Sequence, residues 1–337
     1  MKLELTHLGS VTLVFALAAC GGSPPPVEEA PPPAAPAAEV PPAPVAAPEP
    51  APAPAAAPKA EEPKPPAAAW RVTEGISTPE SVYYDAAGDR FFVSNINGNP
   101  VEADNNGYIT ELSGEGKVVK AKLIEGGKDK IKLDAPKGTG LLNGVLYVSD
   151  VTVVRKFDVK SGAPKGEIPI KDATFLNDLA IAPDGRVFVS DSGVKPGPNG
   201  FEPTGTDAVW VIDKAGKAKP VAKMKELNGP NGVLVVGKDL LVNTFRGDEI
   251  FRLDDKGAKQ DVTKIPTGGL DGFQSLGDSL LVSSWAGKTI YKGKLGQKFE
   301  PLLQGLDGAA DFVVDTKRNR VVVPRFMGNA VEAYDVK

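Results

Sequence analysis

Gly277-Asp278-Ser279-Leu280-Leu281-Val282-Ser283 is a turn followed by a short apolar run that ends in valine and one small polar residue. Gly237-Lys238-Asp239-Leu240-Leu241-Val242-Asn243 repeats the phrase. It recurs at Phe91 to Ser94, Leu146 to Ser149 and Val187 to Ser190, and at Val321 to Pro324 with proline in the small-residue place. The turns before these four are Gly88-Asp89, Asn143-Gly144, Asp184-Gly185 and the polar Lys317-Arg318-Asn319. The marker valines Val93, Val148, Val189, Val242, Val282 and Val323 stand 55, 41, 53, 40 and 41 residues apart. More strand-like runs follow them, at Tyr108 to Leu112, Ala208 to Ile212, Glu249 to Leu253 and Val331 to Tyr334. Short β-type runs with a period near 40 residues and no helical pattern predict an all-β chain folded as a six-bladed β-propeller.

Closure supports the count. The sixth copy ends after its third strand, and Trp70 to Thr73, just before the first copy, is placed to supply the missing fourth. Two copies carry insertions after their second strands, Asn97 to Asn106 and Gly193 to Thr206, which predicts long polar loops on one face of the disk. That face is the expected ligand side. Gly277-Asp278-Ser279-Leu280 also looks like an esterase motif, but in this repeat it is a hairpin turn.

Ahead of the repeats the composition changes. Residues 24 to 69 hold 18 prolines and 17 alanines, too little apolar surface to offset the entropy of ordering, and the expectation is an extended tether. Val11 to Ala19 is an apolar run too short to span a bilayer, and it leads into Leu17-Ala18-Ala19-Cys20, which resembles a bacterial lipobox. That resemblance implies a signal peptide over 1–19, a lipidated Cys20 opening a tether over 20–69, and a propeller over 70–337. Gly21 after the cysteine implies sorting to the outer membrane, facing the periplasm, with the membrane met through the lipid alone. The only histidine is His7, so a processed chain would contain neither histidine nor free thiol, which excludes Ser-His-Asp and Cys-His nucleophiles and His-ligated zinc. The net charge of −4 arises in the tether, where six Glu face two Lys, and the remaining domain is neutral. Without a basic tract, nucleic acid is not an expected partner.

Chemistry must therefore come from carboxylates, amides, Lys, Tyr or a hard metal. Immediately before four innermost strands stand Glu80 (Pro79-Glu80-Ser81-Val82), Asn177 (Leu176-Asn177-Asp178-Leu179), Asn231 (Pro230-Asn231-Gly232-Val233) and Asp271 (Leu270-Asp271-Gly272-Phe273). Their spacing follows the repeat, 54 residues from Asn177 to Asn231 and 40 from Asn231 to Asp271. Two carboxylates and two amide oxygens converging on the axis suit a hard divalent cation, calcium above zinc, with other divalent cations also possible. A plain turn reading stands beside this, since Asn-Gly and Asp-Gly are common turn signals.

In these motifs, and in the Pro183-Asp184-Gly185 turn after Asn177-Asp178, the chain resembles the SMP-30, gluconolactonase and regucalcin-like family of six-bladed propellers. The resemblance implies calcium held by Glu80, Asn231 and Asp271, with Asn177 completing the metal or substrate shell. Asp271 would double as general base in hydrolysis of a lactone or ester. Two departures matter: Glu-Gly-Pro becomes Glu80-Ser81-Val82, and the family's arginine two residues before Asn-Asp is Phe175, which weakens the case for a sugar substrate. Beyond the four oxygens, the residues after each marker valine place Asp191 and Arg325 as candidates to orient a substrate. Trp285, Phe245 and Phe326 could wall a pocket, with core or inter-blade packing the favoured reading of each ring. The alternative to a hydrolase is a non-catalytic envelope propeller that binds a ligand, polymer or partner protein.

Overall fold

The computed structural model describes residues 63–198 and 200–336. The leader, Cys20 and the tether as far as residue 62 lie outside the described residues. Residues 63–69 run without regular structure to the first strand.

Six four-stranded antiparallel sheets follow one another. Blade 1 is Pro79–Asp85, Arg90–Asn95, Tyr108–Ser113 and Val118–Glu125. Blade 2 is Pro136–Leu142, Val145–Asp150, Val153–Asp158 and Pro164–Pro169. Blade 3 is Leu176–Ile181, Val187–Asp191, Ala208–Ile212 and Ala218–Lys223. Blade 4 is Pro230–Val236, Asp239–Thr244, Glu249–Leu253 and Lys259–Lys264. Blade 5 is Leu270–Leu276, Ser279–Ser284, Thr289–Gly293 and Glu300–Gln304. Blade 6 takes Val313–Asp315, Arg320–Arg325 and Ala330–Asp335 from the end of the chain, and its outer strand is Trp70–Val72, paired Trp70 to Ala333 and Val72 to Val331. Every marker valine lies in the second strand of its blade, and the predicted closure is the one observed.

The marker runs are continuously apolar because both faces of every blade are covered. Six hydrophobic clusters fill the six wedges between neighbouring blades. In blade 4, Leu240 and Val242 face blade 3 while Leu241 faces blade 5, the period-two alternation of a strand buried on both sides. Each such buried side chain contributes about 1.5–3 kcal/mol. Gly277-Asp278 is a turn in the blade 5 hairpin, as expected for the esterase look-alike.

The small polar residue after each marker valine has a structural task. Ser283 Oγ accepts from Gly272 N (2.8 Å) in its own blade and donates to Ala310 O (3.2 Å) in the next. Asn243 Oδ1 accepts from Gly232 N (2.8 Å) and its Nδ2 donates to Asp271 O. Ser149 Oγ donates to Gly138 O (3.3 Å) and to Asn177 O. The innermost strands are thus riveted to one another at three of the seams, between blades 2 and 3, 4 and 5, and 5 and 6. Gly232 and Gly272 permit that closeness, since a Cβ on Gly232 would lie 2.3 Å from Asp271 O and one on Gly272 would lie 2.7 Å from Phe312 N.

Candidate functional site

The first residue of each inner strand pairs with the end of the second strand: Pro79 with Asn95, Pro136 with Asp150, Leu176 with Asp191, Pro230 with Thr244 and Leu270 with Ser284. In all five blades the register then shifts, a bulge at the same place. Such bulges re-aim side chains, and here they release the next residue from the ladder. Those residues are Glu80, Lys137, Asn177, Asn231 and Asp271. In blade 6 Ala309 pairs with Arg325, so the equivalent residue is Ala310, and the oxygen comes one residue later, from Asp311. The same edge carries the connections between second and third strands, which places both insertions on this face. The second insertion folds as a hairpin, Val194–Gly197 with Gly200–Pro203.

The four predicted oxygen residues are all buried, none more than 6% exposed. Three oxygens lack any hydrogen-bond partner among the described residues: Glu80 Oε2, Asn231 Oδ1 and Asp271 Oδ1. Their neighbours orient them. Trp285 Nε1 donates to Asp271 Oδ2 at 2.7 Å. Asn231 Nδ2 donates to Leu270 O at 3.4 Å, leaving Oδ1 free. Asn177 Nδ2 donates to Ser192 Oγ (3.2 Å), which donates to Pro230 O (2.9 Å), so the amide is oriented by the neighbouring blade.

Two groups that sequence reasoning missed share the site. Lys137, only 1% exposed, donates from Nζ to Ala135 O (3.0 Å) and stands over the Phe175 ring at 4.4 Å. It lies 11 residues before Val148, as Asn231 lies before Val242 and Asp271 before Val282, so Pro136-Lys137-Gly138 matched the pattern Pro230-Asn231-Gly232 in all but side-chain chemistry. Asp311 accepts from Ser81 Oγ through Oδ2 (2.7 Å) and keeps Oδ1 unpartnered. Asp178 in the same layer is fully used, accepting from Leu179 N (2.6 Å) and from Val233 N of the next blade (2.8 Å).

Four buried carboxyls within electrostatic reach cannot all ionise without compensation. Burial, then Asp271 and Asp311, hold the Glu80 carboxyl well above its ordinary range, and the Lys137 ammonium only partly offsets them. Burial and Asp311 push Asp271 up to about 8, against the pull of Trp285 and the Asn231 amide. Burial pushes Asp311 up to about 7, and Asp178 rises through burial and then Asp311. Burial lowers Lys137 to about 8, against the attraction of Glu80. Such a cluster accepts protons or a cation. Among the described residues no three Asp, Glu, His or Cys side chains group as a metal site, so a cation here requires the amide oxygens as well. Glu80, Asn231 and Asp271 fit that demand by their unpartnered oxygens, and hard oxygen donors fit calcium or magnesium.

Two expected substrate residues are corrected. Asp191 is fully buried, and its carboxylate closes the loop below it, accepting from Thr174 N (3.1 Å), Phe175 N (2.9 Å) and Gly193 N (3.1 Å). Arg325 donates to Asp307 O (3.0 Å) and pairs with Glu332 inside blade 6. Both sit where a second strand ends, and the backbone there leaves groups that their charges satisfy. Trp285 is at the site, between Phe245 (5.9 Å, edge-on) and Phe326 (5.2 Å). The three rings touch one another across blades 4, 5 and 6, and each is half-buried or exposed, so they pack between blades and also line the mouth.

No protein-family model matches the chain, and neither does any curated protein. Solved structures do. A gluconolactonase of Xanthomonas campestris superposes with a TM-score of 0.58 at 17% identity, over 78% of this chain and 87% of that one. A structure named as a gluconolactonase within its protein family gives 0.59 at 15% identity, over 80% and 91%. The virginiamycin B lyase of Staphylococcus aureus gives 0.52 at 12% identity, over 78% and 97%. At these identities the likeness is one of architecture, and this chain has the six-bladed propeller fold that the gluconolactonase structures share.

Proposed function

We propose that the protein is a divalent-cation-dependent hydrolase of the lactonase or esterase type, with calcium as the preferred ion. The observation that carries this is the set of buried, unpartnered oxygens of Glu80, Asn231 and Asp271, each at the bulge that opens its inner strand. These three residues would hold the cation and Asn177 would complete its shell or orient the substrate. When bound, the cation supplies charge that polarises an ester carbonyl and neutralises the carboxylates. Asp271 takes a proton from the attacking water as the new C–O bond forms at the acyl carbon. The ring C–O bond then breaks, the departing oxygen recovers the proton, and a hydroxy acid is released. Trp285 Nε1 holds the Asp271 carboxylate in place for that transfer. The lipobox-like Leu17-Ala18-Ala19-Cys20 and the Pro/Ala-rich stretch behind it support anchoring of this activity to the cell envelope, at the outer membrane.

A second reading, a propeller that binds without turnover, is favoured by Lys137, which already supplies the ring with one positive charge beside Glu80. Calcium titration of the purified full chain separates the two. On the first reading calcium at a hundredfold excess over its Kd stabilises by about 2.7 kcal/mol, a rise in Tm of roughly 5–10 °C. A calcium-dependent lactone hydrolysis lost at least a hundredfold in Asp271→Asn is expected with it. No calcium-linked change in Tm removes the metal site, and a calcium response without turnover of any lactone or ester leaves the binding reading.

A further inference from the structure

We infer that the substrate is a lactone or ester carrying an apolar acyl or alkyl chain and not a polyhydroxylated sugar lactone; this rests on the hydrolase reading above and names its substrate class. Phe245, Trp285 and Phe326 each stand three residues after the marker valine of blades 4, 5 and 6, so an unbroken half of the mouth is aromatic. Phe245 is 38% exposed, and Met327, next to Phe326, is 68% exposed, so the wall is open to a ligand.

The wall is tied to the chemistry. The indole N–H of Trp285 is its only polar atom, and it is given to Asp271, which leaves the ring itself as an apolar surface against the proposed base. A flat platform of the kind on which a sugar ring stacks needs one broad exposed ring face. Here successive ring planes turn by 79° and 56°, which makes a corrugated wall suited to a flexible chain.

The two arginines of the same arc are already engaged within the protein. Arg246 is committed to Ser192 O and Asp207, and Arg325 to Asp307 O and Glu332. Position 175, at the edge of the mouth in blade 3, holds a phenylalanine packed on Phe201 at 5.8 Å, and Phe201 is 50% exposed. A polyol placed here would leave hydroxyls unpaired, a cost of about 1–3 kcal/mol for each. An alkyl chain would instead gain about 0.8 kcal/mol for each methylene it buries.

The test compares a δ-lactone bearing an eight-carbon side chain with glucono-δ-lactone, using the full chain with calcium supplied. Binding is followed in parallel by quenching of tryptophan fluorescence. The inference expects kcat/KM at least tenfold higher for the alkyl lactone, and a ratio that falls about tenfold in Phe245→Ser/Phe326→Ser. It also expects saturable quenching that disappears in Trp285→Phe. Calcium-dependent turnover that favours glucono-δ-lactone overturns the substrate class while leaving the hydrolase reading intact. Quenching by the alkyl lactone with no turnover sinks the hydrolase reading and supports the apolar site. Neither preference nor quenching overturns the inference.

Discussion

The seam between blades 5 and 6 and the seam between blades 6 and 1 join equivalent sheets by different means. At the first, Ser283 spans the gap, holding Gly272 N of one inner strand and Ala310 O of the next. At the second the equivalent residue is Pro324, which has no side-chain donor. The bond moves instead to the inner strands, where Asp311 N donates to Glu80 O (2.9 Å), Val82 N to Asp311 O (3.1 Å) and Ser81 Oγ to Asp311 Oδ2 (2.7 Å). Arg318 adds a bridge at the other rim, pairing with Asp89 of blade 1 (2.8 Å) and Asp315 (3.0 Å). Trp70 packs on Phe91 of blade 1 (ring centroids 5.9 Å), so the strand from the start of the domain seals this seam as well. Two seams of one repeat can thus draw their ties from different residues. Where the tie is a carboxylate, it also enters the electrostatics of the site.

Removing the closing strand is the harshest way to break that comparison. A chain beginning at residue 74 leaves Ala330–Asp335 an unpaired edge and uncovers Phe91, and we expect differential scanning calorimetry to show a Tm lower by at least about 10 °C. An unchanged Tm would show that the seam stands without the fourth strand. Next in size is Asn243→Ala, which leaves Gly232 N and Asp271 O buried without partners. The expected loss is on the order of 2–4 kcal/mol, about 5–10 °C in Tm, with a weaker calcium response because the Asp271 backbone loses its anchor. Urea denaturation indistinguishable from the parent would refute the rivet.

Smaller still is the effect of pH without divalent cation. Glu80, Asp178, Asp271 and Asp311 are all raised in the fold, so between about pH 4 and about pH 8 the folded chain retains protons that the unfolded chain has released. Their contribution to stability is full below about pH 4 and disappears as the pH climbs through their folded-state values. Lys137, lowered to about 8, acts in a separate window above that pH. Tm in chelator should therefore fall by several degrees from pH 5 to pH 8, and saturating calcium should flatten the slope. A slope equal with and without calcium would detach the carboxyls from any cation. Asp311→Asn should change least. It preserves an acceptor for Ser81 and removes one raised carboxyl, so stability at pH 7 stays within about 1 kcal/mol while the pH slope becomes shallower. If it instead costs as much as Asn243→Ala, the ionised carboxylate is itself the tie at the closing seam.

The blades were legible because a strand buried on both faces must be apolar throughout, and because a small polar residue follows the marker valine in five blades, with proline in the sixth. Glu80, Asn177, Asn231 and Asp271 were legible for a related reason: a bulge at a fixed place in the repeat presents one side chain per blade, so position identified them. Lys137 occupies that place too but escaped a search restricted to oxygen. Asp311 escaped because blade 6 begins its inner strand late, at Val313–Asp315, and offers its carboxylate one residue further on. Asp191 and Arg325 misled because a charged residue at a strand end has two destinations, the ligand or the nearest unsatisfied backbone, and only three-dimensional contacts separate them. The aromatic arc was visible as three rings in register. That it faces outward depends on the exposure of the loops that carry it.

Because Trp70 lies beside Ala333 and Ala69 N donates to Ala333 O, the propeller has no topological beginning; its start is simply where the polypeptide enters blade 6. On these grounds the ring is expected to tolerate circular permutation. Gly277, at a tip with nothing within 4 Å of a built Cβ, offers a place to reopen it once residue 336 is joined to the start of the first strand by a few residues. Cut there, blade 5 would become the composite sheet and blade 6 an ordinary one, with the mouth facing the other end of every strand and left undisturbed.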